Sequence, residues 1–170
     1  MTAPRVVLVG PPGAGKSTLV VLLADRLGLS SRDTDDDVAR STGKSIPDLF
    51  LEDGEDAFRT LESQAVRAAL AEHDGVLALG GGSVLDPAVR ELLAGHTVVF
   101  LDVSITGAAP RIGFNRDRPL LLGNPRGQWV KLMEARRPFY DEVAVITVVT
   151  DGKTPEQVAD EVLRLLPSAP

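Results

Sequence analysis

The chain has 170 residues, 44% of them hydrophobic, enough for one domain with a substantial buried core and too apolar for intrinsic disorder. A formal net charge of −6 argues against a broad nucleic-acid surface, no apolar run approaches the roughly 18 residues of a membrane span, and the lack of cysteine excludes disulfides and thiolate metal sites. With no secretory leader ahead of the first apolar run, the expectation is a soluble, cytoplasmic, single-domain protein.

Val6-Val7-Leu8-Val9 reads as a strand and is followed at once by Gly10-Pro11-Pro12-Gly13-Ala14-Gly15-Lys16-Ser17-Thr18, the pattern G-x-x-x-x-G-K-[ST]. Glycines let this backbone curl so that successive N–H groups face phosphate oxygens, and the helix expected over about 15–27 adds its positive N-terminal end. Lys16 would reach the β- and γ-phosphates and Ser17 would offer its hydroxyl to Mg²⁺, so a nucleoside triphosphate is the first ligand to consider. A short strand over 31–33 then runs into Asp33-Thr34-Asp35. If strand alternation persists, both carboxylates converge on one cavity, one toward a Mg²⁺ shell and the other toward an acceptor hydroxyl. The competing reading is a solvated acidic turn that caps a helix starting near Asp36.

Ser45-Ile46-Pro47-Asp48 opens a capped helix, and a long amphipathic helix follows Gly54 through Phe58, Leu61, Ala65 and Leu70. On it Arg59 and Glu62 form either an exposed ion pair or an arginine aimed into the cavity, and helical spacing leaves both open. A strand at 76–79 ends in Gly80-Gly81-Gly82-Ser83. That triplet is either a tight turn or a place where a ligand meets the main chain, and its entropic cost favours the ligand. Asp86-Pro87 starts another helix, strands are expected at 97–101 and 144–149, and Thr154-Pro155-Glu156-Gln157 carries a capping box. Pro110, just before Arg111, is expected to kink its helix, and the segment at about 113–127 reads as an irregular lid. Trp129, His73 and His96 read as structural or surface residues. The sum is an α/β protein with an open, five-stranded parallel sheet flanked by helices, whose ligands should lie beyond the carboxyl ends of the strands.

In order and spacing, the phosphate loop, Asp33-Thr34-Asp35, Thr42-Gly43-Lys44-Ser45-Ile46, Asp53-Gly54-Glu55 with Phe58-Arg59 and Glu62, Gly80-Gly81-Gly82, Arg118-Pro119-Leu120 and Arg136-Arg137-Pro138-Phe139-Tyr140 together resemble the shikimate kinases. The resemblance implies a P-loop, nucleoside-monophosphate-kinase-like fold with a mobile lid, and transfer of the ATP γ-phosphoryl group to the 3-hydroxyl of shikimate, a step of aromatic amino-acid synthesis. It assigns Gly13, Ala14, Gly15, Lys16, Ser17, Thr18, Arg111 and Arg118 to ATP, with residues 148–155 as the adenine loop. To shikimate it assigns Asp35, Arg59, Gly80, Gly81, Gly82, Arg118 and Arg136. Ser17 and Asp33 would hold Mg²⁺, while Lys16, Asp35 and Arg118 would carry the chemistry, Asp35 orienting or deprotonating the nucleophile. The R-x-P-x-Y register selects Arg136 rather than Arg137 for the substrate. Shikimate and ATP are the partners expected of a monomer with no nucleic acid and no membrane. A kinase for another hydroxy acid such as gluconate, and a nucleotide-binding regulator without transfer chemistry, are the alternatives.

Overall fold

Strand β1 (Val6–Val9) is four aliphatic residues, all buried, the unbroken apolar pattern of a parallel strand covered on both faces. Strands β3 (Val76–Ala78) and β4 (Val98–Asp102) repeat it, whereas β2 (Ser31–Asp33) and β5 (Ile146–Val149) carry exposed positions and lie at the edges. The five strands pair in parallel in the order β2-β3-β1-β4-β5. The computed structural model describes residues 2–113 and 124–168. Register fixes what emerges together: Asp33 of β2 and Leu8 of β1 both align with Ala78 of β3, and Val9 aligns with Phe100 of β4. The acidic turn, the phosphate loop and the glycine triplet therefore leave the sheet at one edge and one level, where the chain's direction of winding reverses on either side of β1.

Helices α1 (Lys16–Leu27), α2 (Thr34–Thr42), α3 (Ile46–Asp53) and α4 (Glu55–Glu72) precede β3 or join it to β1 and β2, and a 3₁₀ turn (Ser83–Leu85) and α5 (Pro87–Leu93) follow it. After β4 come α6 (Ile105–Ile112) and α7 (Pro125–Val143), and α8 (Pro155–Leu165) follows β5. Local chemistry sets the ends. Asp33, Ser45, Asp86, Ser104 and Thr154 cap their helices through side-chain oxygens, and Thr154 with Gln157 completes the capping box. The main core surrounds the sheet, with Tyr140 stacked on Phe100 at 4.9 Å between centroids. A smaller core of Val38, Leu49 and Phe58, with Phe50 packed 4.7 Å from Phe58, ties α2, α3 and α4 into a subassembly beside it.

Three local expectations bear on the site. Helix α2 begins at Thr34, not near Asp36, because the Asp33 carboxylate accepts from the Asp35 N–H and starts the helix directly at the strand end. Pro110 lies inside α6, which continues through Ile112 to a left-handed Gly113. Of the segment expected as a lid, Gly113 closes α6 and residues 124–127 form the cap and first turn of α7, while 114–123, with Arg118, lie outside the described residues.

Candidate active site

The phosphate loop bridges β1 and α1. Gly10 has φ +153° and so little room that a Cβ would sit 2.6 Å from the Leu101 carbonyl oxygen; at Gly13, with φ +84°, a Cβ would press on Ala108 and Ile112 at 2.9 Å. Both positions thus exclude side chains through backbone angle and through space. Gly15 caps α1 without a side-chain hydrogen bond, so the first N–H groups of that helix are left to an anion. Lys16 Nζ donates to Gly10 O at 2.6 Å and Pro11 O at 3.2 Å. Burial pushes its ammonium down to about 8, against the pull of Asp35 and Asp33.

Asp33 and Asp35 line the same cleft of about 700 Å³ as Gly13, Ala14, Gly15, Lys16, Ser17 and Thr18. Their convergence does not come from strand alternation, since β2 ends at Asp33 and Asp35 already belongs to the first turn of α2. Between them Thr34 turns inward, fully buried, and its hydroxyl accepts from the Gly80 N–H at 3.2 Å. That bond joins the acidic turn to the glycine triplet. Burial pushes the Asp33 carboxyl up to about 6; it also raises that of Asp35, assisted by the neighbouring Glu62 charge.

Gly80, Gly81 and Gly82 close a turn, Ser83 N–H donating to Gly80 O at 3.0 Å, but all have φ outside the left-handed region, so it is close approach and not backbone angle that calls for glycine here. A Cβ on Gly80 would lie 2.6 Å from Asp35 Oδ1 and 2.7 Å from Glu62 Oε2, one on Gly81 would lie 3.2 Å from Arg136 Nη1, and one on Gly82 would strike the Arg59 guanidinium. Two arginines and two acids thus surround three residues of bare backbone. Arg59 pairs with Glu62 at 2.8 Å, and because Glu62 is 3% exposed this is not the solvated surface pair that helix spacing allowed. Phe58 packs under the same guanidinium at 5.3 Å, and Arg59 Nε is buried without a hydrogen bond, its nearest acid being Glu55 Oε1 at 3.7 Å.

Arg136 and Arg137, adjacent on α7, part company in space. Arg137 donates twice to the Asp102 carboxylate at 2.9 Å, while Arg136 faces Gly81. Tyr140, one turn on, donates from its hydroxyl to Gly81 O at 2.6 Å, and burial pushes its phenol up to about 12, so it stays a donor. At the other end of the cleft Arg111 Nη1 donates to Gly13 O and Thr150 Oγ1 at 3.1 and 2.9 Å, and Nη2 donates to Thr150 O at 2.9 Å. Lys153, Pro155 and Val158 complete that wall. Pro110 therefore leaves Arg111 anchored between the phosphate loop and the β5–α8 connection.

Thr34, Tyr140 and Trp129, whose indole donates to Pro12 O at 2.9 Å, touch the site although sequence reasoning assigned them no part in it. A small polar residue between two acids at a strand end, and an aromatic one turn beyond Arg136, were the available signals. His73 bonds through Nε2 to Val76 O, and neither it nor His96 lines this cleft.

The family model described as shikimate kinase matches residues 12–167. A shikimate kinase of Streptomyces avermitilis is 58% identical over 166 residues, covering 98% of this chain and 97% of that protein. Among solved structures, a shikimate kinase from Acinetobacter baumannii in complex with shikimate superposes with a TM-score of 0.89 at 35% identity, over 97% of this chain and 93% of that one. A gluconokinase from Sinorhizobium meliloti, at 19% identity and a TM-score of 0.57, shares the fold alone. A cleft that joins a phosphate loop to Asp33, Asp35 and Gly81, with Arg136 against Gly81 and Arg59 against Gly82, and relatives matched over nearly their whole length, lead to one assignment: the chain belongs to the shikimate kinase family and is a phosphotransferase.

Proposed function

We propose that this cleft transfers the γ-phosphoryl group of ATP to the 3-hydroxyl of shikimate, releasing ADP and shikimate 3-phosphate. The observation that carries the reading is the glycine triplet. It ends β3 beside the phosphate loop, and its three Cα positions are each approached by a group suited to shikimate: the Asp35 carboxylate, Arg136 and Arg59. Guanidinium groups grip a carboxylate with paired, charge-assisted hydrogen bonds, so Arg59 and Arg136 take the acid of shikimate while Asp35 takes its ring hydroxyls. A carboxyl whose proton affinity is raised by burial is a better base, so Asp35 orients the nucleophilic hydroxyl and accepts its proton as the new O–P bond forms.

Phosphoryl transfer demands in-line positioning and cations around the migrating group more than covalent help. Lys16 exchanges its two carbonyl partners for the β- and γ-phosphates, the α1 N–H groups face the same oxygens, and Arg118, outside the described residues, adds a charge. Arg111 and residues 148–155 receive the adenine. For Mg²⁺ the donor set fits: Ser17 and Asp33 line the same cleft as the phosphate loop, and a hydroxyl with one carboxylate suits an ion that retains water and shares phosphate oxygens. Ser17 and Asp33 would hold it, and it would supply charge neutralisation at the phosphates.

No described helix is long and apolar enough to cross a membrane. The test is ADP release with ATP and Mg²⁺, with and without shikimate. Asp35→Asn and Arg136→Ala should each abolish shikimate-stimulated turnover while leaving the circular dichroism and melting cooperativity of the chain intact. Turnover by Asp35→Asn at the parent rate would refute the role given to that acid.

A further inference from the structure

The carbonyls of Gly10 to Ala14 each accept a hydrogen bond from a side chain, Lys16 within the loop and Arg111 and Trp129 outside it. Lys16 takes Gly10 O and Pro11 O at 2.6 and 3.2 Å, Arg111 takes Gly13 O and Ala14 O at 3.1 and 3.4 Å, and Trp129 Nε1 takes the carbonyl between them, Pro12 O, at 2.9 Å. Lys16 and Arg111 line the cleft; Trp129, 6% exposed on α7, does not. In a trans peptide the N–H of one residue points opposite the C=O of the residue before it, and the described backbone contains no cis bond. Holding the Pro12 carbonyl on the side away from the cleft therefore turns the Gly13 N–H toward it.

The sequence makes this peptide plane one that needs an external clamp. Pro11 and Pro12 have no N–H with which to anchor themselves, and Gly13, at φ +84°, has the backbone freedom to let the plane rotate. Trp129 and Arg136 lie seven residues apart on α7, two turns along one face, so the same helix that brings a guanidinium to Gly81 brings an indole to the loop.

We propose that Trp129 is a positioning residue of the phosphate site: its indole N–H holds the Pro12–Gly13 peptide in the orientation that presents the Gly13 N–H to the phosphates of the bound nucleotide. This rests on the reading of the loop as the ATP site. Because the chain contains one tryptophan, its ¹⁵N spectrum contains one indole N–H signal, which reports this bond directly. In the full chain that signal should exchange slowly with solvent, move on titration with ADP and Mg²⁺, and stay in place with shikimate alone. Trp129→Phe keeps an aromatic ring but loses the donor, leaving the Pro12 carbonyl unheld. ADP should then bind roughly five- to tenfold more weakly by calorimetry, with KM for ATP raised in step and KM for shikimate unchanged. A purely structural tryptophan would lower the melting temperature without separating the two KM values. Parent-like ADP affinity in folded Trp129→Phe overturns the proposal, as does an indole signal indifferent to ADP in a parent chain that binds ADP. If Trp129→Phe does not fold, the indole titration of the parent chain decides alone. A parent chain that fails to bind ADP at all overturns the ATP-site reading itself and the proposal with it.

Discussion

Gly82→Ala isolates the contact between the glycine triplet and the arginine clamp. Gly82 has φ −94° and ψ 0°, angles open to alanine, so the backbone offers no objection and the effect must be steric. The added Cβ would stand 2.6 Å from Arg59 Cζ and Nη2, about an ångström inside ordinary contact, and the guanidinium must move by that much. It has little freedom to do so, because Glu62 holds it at 2.8 Å from one side and Phe58 packs beneath it. Overpacking of this kind costs about 1–3 kcal/mol of stability. Displacing the donor from the substrate carboxylate forfeits a charge-assisted hydrogen bond of about 1.5–3 kcal/mol, a rise in KM for shikimate of roughly ten- to a hundredfold. Steady-state kinetics with each substrate varied in turn should show that rise with KM for ATP within about twofold of the parent, since the phosphate loop is untouched. A shikimate KM unchanged in a folded Gly82→Ala would refute the claim that this glycine exists to admit Arg59.

The pH profile of kcat/KM for ATP should be bell-shaped, with its limbs set by the free protein: Asp33, held up to about 6, loses the negative charge that a Mg²⁺ shell requires as pH falls through that value, and Lys16, held down to about 8, loses its positive charge as pH rises through its own. Asp33→Asn should remove the acid limb along with most activity, and a flat profile from pH 5 to 9 would contradict both assignments. The depressed Lys16 has a thermodynamic counterpart. The unfolded chain keeps that proton to about 10.5 and the folded one releases it near 8, so at pH 7 the fold bears the cost of the buried charge, relieved only as pH rises between those values. Lys16→Met should therefore be inactive yet up to about 3 kcal/mol more stable at pH 7, read as a melting temperature several degrees higher; a lower one would overturn the sign. Finally, Arg136→Ala should abolish shikimate-stimulated turnover, whereas Arg137→Ala, which removes a half-exposed partner of Asp102, should cost no more than about 1 kcal/mol of stability and leave both KM values alone. Equal kinetic effects would contradict the division of labour on α7.

What could be read in advance follows from the range of each interaction. The phosphate loop is legible because its function lies in consecutive backbone groups, and the strand ends because β-branched runs stop where glycine or a capping acid begins. The meeting of Asp35 with Gly80 is not, since it depends on the pairing of Asp33 with Ala78 across two strands and on a threonine hydroxyl that spacing alone does not orient. Arg59 shows the limit of helical periodicity: the i to i+3 spacing fits a surface pair and a buried clamp equally, and only the packing of α4 against the triplet buries Glu62. Trp129 and Pro12 are separated by 117 positions, and no local signal in either predicts their bond. Pro110 sits inside α6 without displacing Arg111. It forfeits a single intrahelical bond near the end of an eight-residue helix, and the hydrogen bonds of Arg111 to Thr150 and the loop hold that turn in place.

The central claim is that one crevice brings the nucleotide's terminal phosphate to a hydroxyl held by Asp35, Arg59 and Arg136. The most direct test is ³¹P NMR of the purified chain with ATP, Mg²⁺ and shikimate, followed in time and repeated without shikimate. The account predicts equimolar growth of ADP and of one phosphomonoester, assigned to the 3-oxygen of shikimate by its coupling to the ring proton, with negligible ADP when shikimate is left out. ADP forming with inorganic phosphate at the same rate in both samples, and no phosphomonoester, would contradict it.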